Sequence, residues 1–227
     1  TVATLNAFHA MGSGLNIVNG NVTFDVSAGM DATKVQETVD NILTITGDLT
    51  YTGASTEAMP TFQNLTGVAS MTIEGAGDYR FDNVVSAGNI ILQDTYKTKV
   101  DTIHLGALTT VTSLSDGTTA NTLDFSAAAE LHLTSLTYYV GGDLTLKTKR
   151  DGVLALGELT DTNASAVVTP MTLTVDGPAS LTLTGIKGDA SAASKGAITL
   201  TNVGTANISN FGGTITLGTG VDNATVI

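Results

Sequence analysis

The chain has 227 residues, a net charge of −12, no cysteine and no tryptophan. Its acidity argues against a nucleic-acid partner, because phosphate binding needs a clustered basic surface. The lack of cysteine excludes disulfides and thiolate metal sites, and no apolar run approaches the length of a transmembrane helix.

Residues 1–40 are predicted to form an N-terminal cap region that contains one short helix. Between Asp31 and Asn41, apolar residues such as Val35 and Val39 recur at helical spacing, and Asp31 stands where an N-cap belongs. A helix here would cover the open end of a stack of strands, where unpaired edges invite aggregation. The strands themselves are expected from Asn41 onward.

A six-residue pattern, apolar-x-apolar-x-x-apolar, defines the rest of the chain. It returns about every 26 residues, a period typical of repeat architectures. Its five copies occupy residues 103–108, 131–136, 154–159, 181–186 and 206–211. Residues 79–84 match it too, although off the later spacing.

Alternating apolar residues indicate a strand with one buried face, and one short strand cannot bury that face alone. Neighbouring repeats must therefore stack. The predicted fold is all-β: an irregular parallel β-helix or solenoid with coils of about 20–29 residues. It is assigned to residues 41–227.

A second set of strands precedes the first within each coil. Its members are predicted at residues 123–125, 144–146, 173–175, 198–200 and 215–217. Their middle residues are Asp124, Thr145, Thr174, Thr199 and Thr216. Such a hydroxyl column is found in ice-binding solenoids, but threonine is also simply a good polar strand former.

The ends of the chain suggest that it is part of a longer one. The last predicted strand opens a further coil, so the solenoid is expected to continue beyond Ile227. The start at Thr1, without a methionine, is typical of a processed chain or a fragment.

Two segments carry a resemblance to a known family. Residues 45–51 (Ile-Thr-Gly-Asp-Leu-Thr-Tyr) and 67–75 (Gly-Val-Ala-Ser-Met-Thr-Ile-Glu-Gly) resemble the receptor L-domain pattern of strand, leucine-spaced corner and glycine. Among L-domain-like solenoids, a cysteine-free, threonine-rich, acidic chain is most similar to bacterial surface-layer (S-layer) proteins. The resemblance implies a secreted subunit that tiles the cell surface as an extracellular lattice.

Five of the nine cationic residues fall in two groups, and they are candidates for an interface. They are Lys97, Lys99, Lys147, Lys149 and Arg150. Lysines two residues apart would face one side of a strand. The partner of this basic surface would be another copy of the acidic chain, or anionic lipopolysaccharide. The alternative is a solvated face.

Four aspartates in glycine- and serine-rich turns are candidate calcium ligands. They are Asp116, Asp143, Asp189 and Asp222. Calcium needs six or more oxygen ligands from a preformed loop, and a single aspartate in a turn more often caps its own backbone. Calcium is therefore expected, if anywhere, between subunits.

His104 and His132 occupy the same position in two successive copies of the pattern. Both should point outward and stack, which would allow them to bind a metal or act as a pH switch. That position supplies no third ligand, since it holds Ala155, Thr182 and Asn207 in the other copies. The alternative is two solvated histidines.

The leading functional hypothesis is a structural, self-assembling cell-surface protein rather than an enzyme. The alternative is a carbohydrate-binding adhesin that uses exposed aromatic residues: Tyr79, Tyr96, Tyr138 and Tyr139. A glycan lyase is the third possibility, but two arginines and scattered glutamates give it thin support.

Overall fold

A computed structural model of the chain describes residues 6, 9–10, 16–27, 29–54, 59–118, 121–125, 128–136, 138–139, 143–149, 152–161, 172–178, 180–187, 197–209 and 213–227. Within them lie helix α1 (Ala32–Val39) and a 3-10 helix (Asp94–Lys99). The strands are β1 (Ile17–Val18), β2 (Val22–Asp25), β3 (Thr44–Thr52), β4 (Gly67–Glu74), β5 (Tyr79–Arg80), β6 (Ser86–Leu92), β7 (Thr102–His104), β8 (Thr110–Ser115), β9 (Thr122–Asp124), β10 (Glu130–Leu133), β11 (Tyr138–Tyr139), β12 (Leu144–Lys147), β13 (Val153–Asp161), β14 (Thr172–Asp176), β15 (Ser180–Lys187), β16 (Ala197–Thr201), β17 (Thr205–Ile208), β18 (Thr214–Leu217) and β19 (Asn223–Val226).

The strands form a parallel β-solenoid, which confirms the predicted fold. They lie in one sheet of fourteen strands and one of five. Every strand pair in the described part of the chain is parallel. In the same part, no helix is long and apolar enough to cross a membrane.

The six-residue pattern forms the first face of the solenoid. Here β5, β7, β10, β13, β15, β17 and β19 stack in that order. The first position of each copy aligns as predicted and is at most 1% exposed. These residues are Ile103, Leu131, Leu154, Leu181 and Ala206. Side chains far apart in sequence thus share one core, as apolar burial favours.

In two copies the second half of the pattern is a corner with its own hydrogen bond, whereas in the copies at 154–159 and 181–186 it continues the strands β13 and β15. The Leu108 N–H donates to the Leu105 carbonyl (3.1 Å), and the Leu136 N–H donates to the Leu133 carbonyl (3.1 Å). The turn brings the last apolar side chain back into the core, where Leu108 and Leu136 are fully buried. The same corner occurs earlier in the chain, at 62–65 and 81–84. The repeat therefore begins before residue 79, where the sequence shows its first copy.

The five-stranded sheet, in the order β9, β12, β14, β16 and β18, forms a separate face. The predicted column placed Asp124 beside Thr145, and this alignment is wrong by two residues. Thr145 pairs with Thr122, and Lys147 pairs with Asp124. The outward column therefore reads Thr122, Thr145, Thr174, Thr199 and Thr216. The coils differ in length, but the differences lie in the loops, so the residues of this column stay aligned.

Helix α1 begins where the sequence predicts. The Asp31 carboxylate accepts hydrogen bonds from the N–H groups of Thr33 (3.0 Å) and Lys34 (3.2 Å), which satisfies the free amides of the first turn. Val35 and Val39 are buried in the core. The expectation that strands begin near Asn41 is wrong, because β1 and β2 already pair with β3.

Helix α1 takes the place of a first-face strand in its coil. The side-chain amide of Gln36 exchanges two hydrogen bonds with the backbone of Thr61 (3.1 and 2.9 Å). The next residue, Phe62, donates its N–H to Arg80 in β5 (3.1 Å). The helix thus precedes the stack of first-face strands, whereas β1 and β2 extend the sheet beside it.

Candidate metal centre

Titratable side chains gather on the outer surface of the first face. The second position of the pattern points outward there, and the register sets Arg80 beside His104 and His104 beside His132. The next coil has Ala155 at this position. The buried neighbours Ile103 and Leu131 fix the register, because a slip of one residue would expose them.

The two imidazole rings stack as the sequence predicts. Their centroids lie 4.8 Å apart and their planes differ by 12°. This separation matches the spacing of neighbouring strands, about 4.8 Å. The side chains are 19% exposed in His104 and 31% exposed in His132, so both rings are only partly accessible to solvent.

Glu130 supplies a third functional group that the sequence reasoning missed. Its Oε2 atom lies 2.8 Å from Nε2 of His132. The two residues are two apart in β10, so both point outward. The hydrogen bond with His132 holds the pKa of the Glu130 carboxyl below its usual value. The sequence signal that could have identified Glu130 is its position two residues before His132, which puts both side chains on the same side of the strand.

His104 is held differently from His132. Its Nδ1 atom lies 3.6 Å from Oδ1 of Asp82, while its Nε2 atom is buried without a hydrogen-bond partner. Burial, and next the Arg80 cation, lower the pKa of His104 below the ordinary histidine value, although Asp82 opposes them. Burial and the Arg80 cation thus favour the neutral form of the ring, which has a lone pair.

Together His104, Glu130 and His132 have the composition of a metal-binding group. Each offers one ligand atom, and these atoms all lie within 4.8 Å of one another. In the described part of the chain they form the one such group of three or more histidine and acidic residues. Imidazole nitrogen and carboxylate oxygen suit zinc, copper or nickel, whereas calcium prefers oxygen ligands alone.

The three described aspartates that were predicted to bind calcium do not meet in such a group. Asp116 is buried, and its Oδ1 accepts from the N–H (2.9 Å) and hydroxyl (2.6 Å) of Thr118. Exposed Asp143 accepts from the Thr172 N–H (2.7 Å). Asp222 is exposed at the corner before β19, and Asp189 lies outside the described residues. Calcium binding stays a prediction.

The lysines were expected to form two pairs, each on one side of a strand, and the structure arranges them differently. Lys97 and Lys99 belong to the 3-10 helix rather than to a strand, so that expectation is wrong for them. Lys147 ends β12, and its Nζ lies 3.1 Å from Oδ2 of Asp124. The corrected register of the five-stranded sheet produces this ion pair.

Lys99 and Lys149 share one corner of the solenoid. The Ala129 N–H donates to the Asp101 carbonyl (2.7 Å), and the Lys149 N–H donates to the Ala128 carbonyl (3.0 Å). The two lysines therefore lie near the same corner on coils that are two apart. Both are exposed. Arg150 falls outside the described residues.

The aromatic residues predicted to stack on sugars do not form one exposed set. Tyr79 is fully buried, and its hydroxyl donates to the Gly75 carbonyl (2.9 Å). A stacking role is therefore wrong for Tyr79. Tyr96 is half-buried in the 3-10 helix. Tyr138 and Tyr139 form β11, but their side chains lie outside the description.

Comparison of the chain with protein families, curated proteins and solved structures gives no match. The residues and geometry of this chain are therefore the basis for any function proposed for it.

Proposed function

We propose that the protein is a secreted, structural protein of the cell surface, whose solenoid assembles with copies of itself into an extracellular lattice of the S-layer type. Its role would be mechanical. A core that runs from Val18 to Ile208 without a break, bridged by parallel ladders, gives a stiff subunit. A stiff subunit holds its contact surfaces in fixed relative positions, as a regular array requires.

The outer surface of the five-stranded sheet supports this proposal most strongly. Its central column consists of threonine on every strand, and each threonine aligns with the next. Thr216 is exposed, and the other four are half-buried by their neighbours. Each side chain offers a hydroxyl and a methyl group at the strand spacing, about 4.8 Å. The result is a regular surface that combines apolar contact with hydrogen bonding.

Charges beside this column already have partners within the chain. Asp124 and Lys147 form the ion pair of 3.1 Å. On a later coil, Asp176 accepts a hydrogen bond from the Asn202 side-chain amide (2.8 Å). Few charges on this face therefore need a partner from outside.

A face whose charges are few and have partners matters in a protein of net charge −12. Two copies repel each other over most orientations, and the repulsion is weakest where the surface carries paired or uncharged groups. Because the column repeats with each coil, a contact can recur after a shift by whole coils. Contacts that do not close on themselves extend into an array.

Charge placed in the column should abolish assembly. The double variant Thr174→Glu/Thr199→Glu sets two carboxylates on neighbouring strands at the proposed contact. Like charges that meet across an interface cost several kcal/mol. We expect sedimentable assemblies to fall by at least about tenfold, as measured by ultracentrifugation of the purified protein.

The matched control adds the same charge to the first face. Thr182 and Asn207 are exposed and also pair on neighbouring strands, so the variant Thr182→Glu/Asn207→Glu has the same net charge. It should assemble like the unmodified protein. Both variants should keep its circular dichroism spectrum. Equal sedimentation of the two variants would show that the threonine column is not the contact.

The corner that carries Lys99 and Lys149 is the part of the surface that we propose for anchoring. Exposed cations near one corner of an acidic protein favour an anionic partner. Lipopolysaccharide supplies closely spaced phosphates and carboxylates, and an acidic region of another copy supplies carboxylates. Calcium would then act between subunits, where it screens the repulsion of their carboxylates.

A further inference from the structure

We propose that His104, Glu130 and His132 bind one divalent transition-metal ion of the zinc type, with water in the remaining coordination position. The site lies on the first face, away from the threonine column. The proposal does not depend on the lattice function, and lattice assembly does not require the metal.

The separation of the ligand atoms is close to what such an ion requires. They lie within 4.8 Å of one another. Zinc–nitrogen bonds of about 2.0–2.1 Å in a tetrahedron place ligand atoms about 3.3 Å apart. Binding would therefore require the two stacked rings, whose planes differ by 12°, to tilt toward each other.

His104 carries the least satisfied group of the three. Its Nε2 atom is buried and has no hydrogen-bond partner, a condition that disfavours the metal-free state. A metal ion would satisfy this nitrogen. Asp82, 3.6 Å from the other ring nitrogen, is placed as the carboxylate that commonly orients a metal-bound histidine.

The charge around the site favours a divalent cation. Two carboxylates lie beside the imidazoles: Asp82, 3.6 Å from Nδ1 of His104, and Glu130, 2.8 Å from Nε2 of His132. The nearby cation, Arg80, lies 3.7 Å from Oδ2 of Asp78, which reduces its repulsion of an incoming ion. The carboxylates of Asp82 and Glu130 therefore attract a divalent cation.

The ligands come from two neighbouring coils, so the ion would link them. His104 belongs to β7, and Glu130 and His132 belong to β10, which pairs with it. The pairing places the three residues side by side before the ion arrives. Since the unfolded chain lacks this arrangement, zinc should raise the unfolding temperature.

Calorimetric titration with zinc chloride tests the site. We expect one ion per chain in the unmodified protein. The double variant His104→Ala/His132→Ala should bind at least about 100-fold more weakly, and Glu130→Gln about 10- to 100-fold more weakly. His9→Ala is the control, because His9 forms the separate pair with Glu37 (3.4 Å). It should bind zinc as the unmodified protein does.

A spectroscopic test on folded protein complements the variants. The chain has three histidines, so His9→Ala leaves only His104 and His132. Electron paramagnetic resonance of Cu²⁺ bound to His9→Ala should show coupling to two imidazole nitrogens. Copper signals with one or no nitrogen would overturn the proposal, as would zinc binding that is absent in the unmodified protein or unchanged in the double variant.

Discussion

Replacing Gly177 with alanine is expected to destabilise the protein far more than replacing Gly20 with alanine. Both glycines have φ of +108°, so an added Cβ meets the same local backbone strain at each. They differ in surroundings. A Cβ at Gly177 would clash with the Thr148 carbonyl oxygen, whereas nothing lies within 4 Å of a Cβ at Gly20.

The backbone around Gly177 has little freedom to relieve this clash. Its N–H donates to the Thr201 carbonyl (3.1 Å), and the Thr148 N–H donates to the Asp176 carbonyl (3.1 Å). The corner is thus hydrogen-bonded to the coils on both sides. Moving it apart would break ladder contacts in two places.

Urea unfolding of the two variants measures the difference. The positive φ alone should cost Gly20→Ala about 1–2 kcal/mol. Gly177→Ala should cost about 1–3 kcal/mol more, the usual penalty of overpacking. Equal losses of stability would mean that the two coils do not approach each other at Gly177 as described.

The second large effect is expected at Leu181, in the buried column of the first face. Leu181 is fully buried and lies between Leu154 and Ala206 of the adjacent coils. Truncation to alanine removes apolar contacts and leaves a cavity, which costs about 2–5 kcal/mol. Since Ala206 is small, the coil beyond cannot fill the space, and we expect a value in the upper part of this range.

Thr182→Ala is the matched control for Leu181→Ala, because the two residues are adjacent in β15 and point in opposite directions. Thr182 is exposed, and its replacement should change the free energy of unfolding by no more than about 0.5 kcal/mol. Thermal and urea unfolding provide the comparison. A larger loss at Thr182 than at Leu181 would reverse the assignment of inward and outward residues.

The first face could be predicted in detail because its pattern is longer than a simple alternation. Alternation alone repeats every two residues, but the apolar residue three positions after the second one breaks that period. This fixes the register of each copy, both where the segment turns, as at 105–108, and where it continues a strand, as in β13. The column from Ile103 to Ala206 therefore aligns as predicted. The same pattern predicts burial of Tyr79, the first residue of the copy at 79–84, and the structure agrees with the pattern rather than with a sugar-binding role.

The strands of the five-stranded sheet carry no such marker, and the predicted alignment of β9 with β12 was wrong. Leu123 and Phe125 could face Leu144 and Leu146 in more than one alignment, because any shift by two residues keeps apolar side chains inside. In the structure, the two strands are aligned so that Lys147 lies beside Asp124. That ion pair is a contact between distant segments, which local alternation does not specify.

The candidate metal centre was predicted in part. The shared position in the pattern correctly placed His104 beside His132, since parallel coils stack equivalent residues. It could not identify Glu130, which occupies a different position of the pattern and reaches His132 through its long side chain. Nor does sequence reveal that Nε2 of His104 is buried without a partner, because that depends on how neighbouring side chains pack.

Self-assembly, the central claim, is tested most directly by electron microscopy of the purified protein, negatively stained with and without calcium. The proposal predicts extended sheets or tubes with a single repeating lattice in at least one of these conditions. Dispersed particles of single-chain size in both conditions, at concentrations high enough to favour assembly, would contradict it.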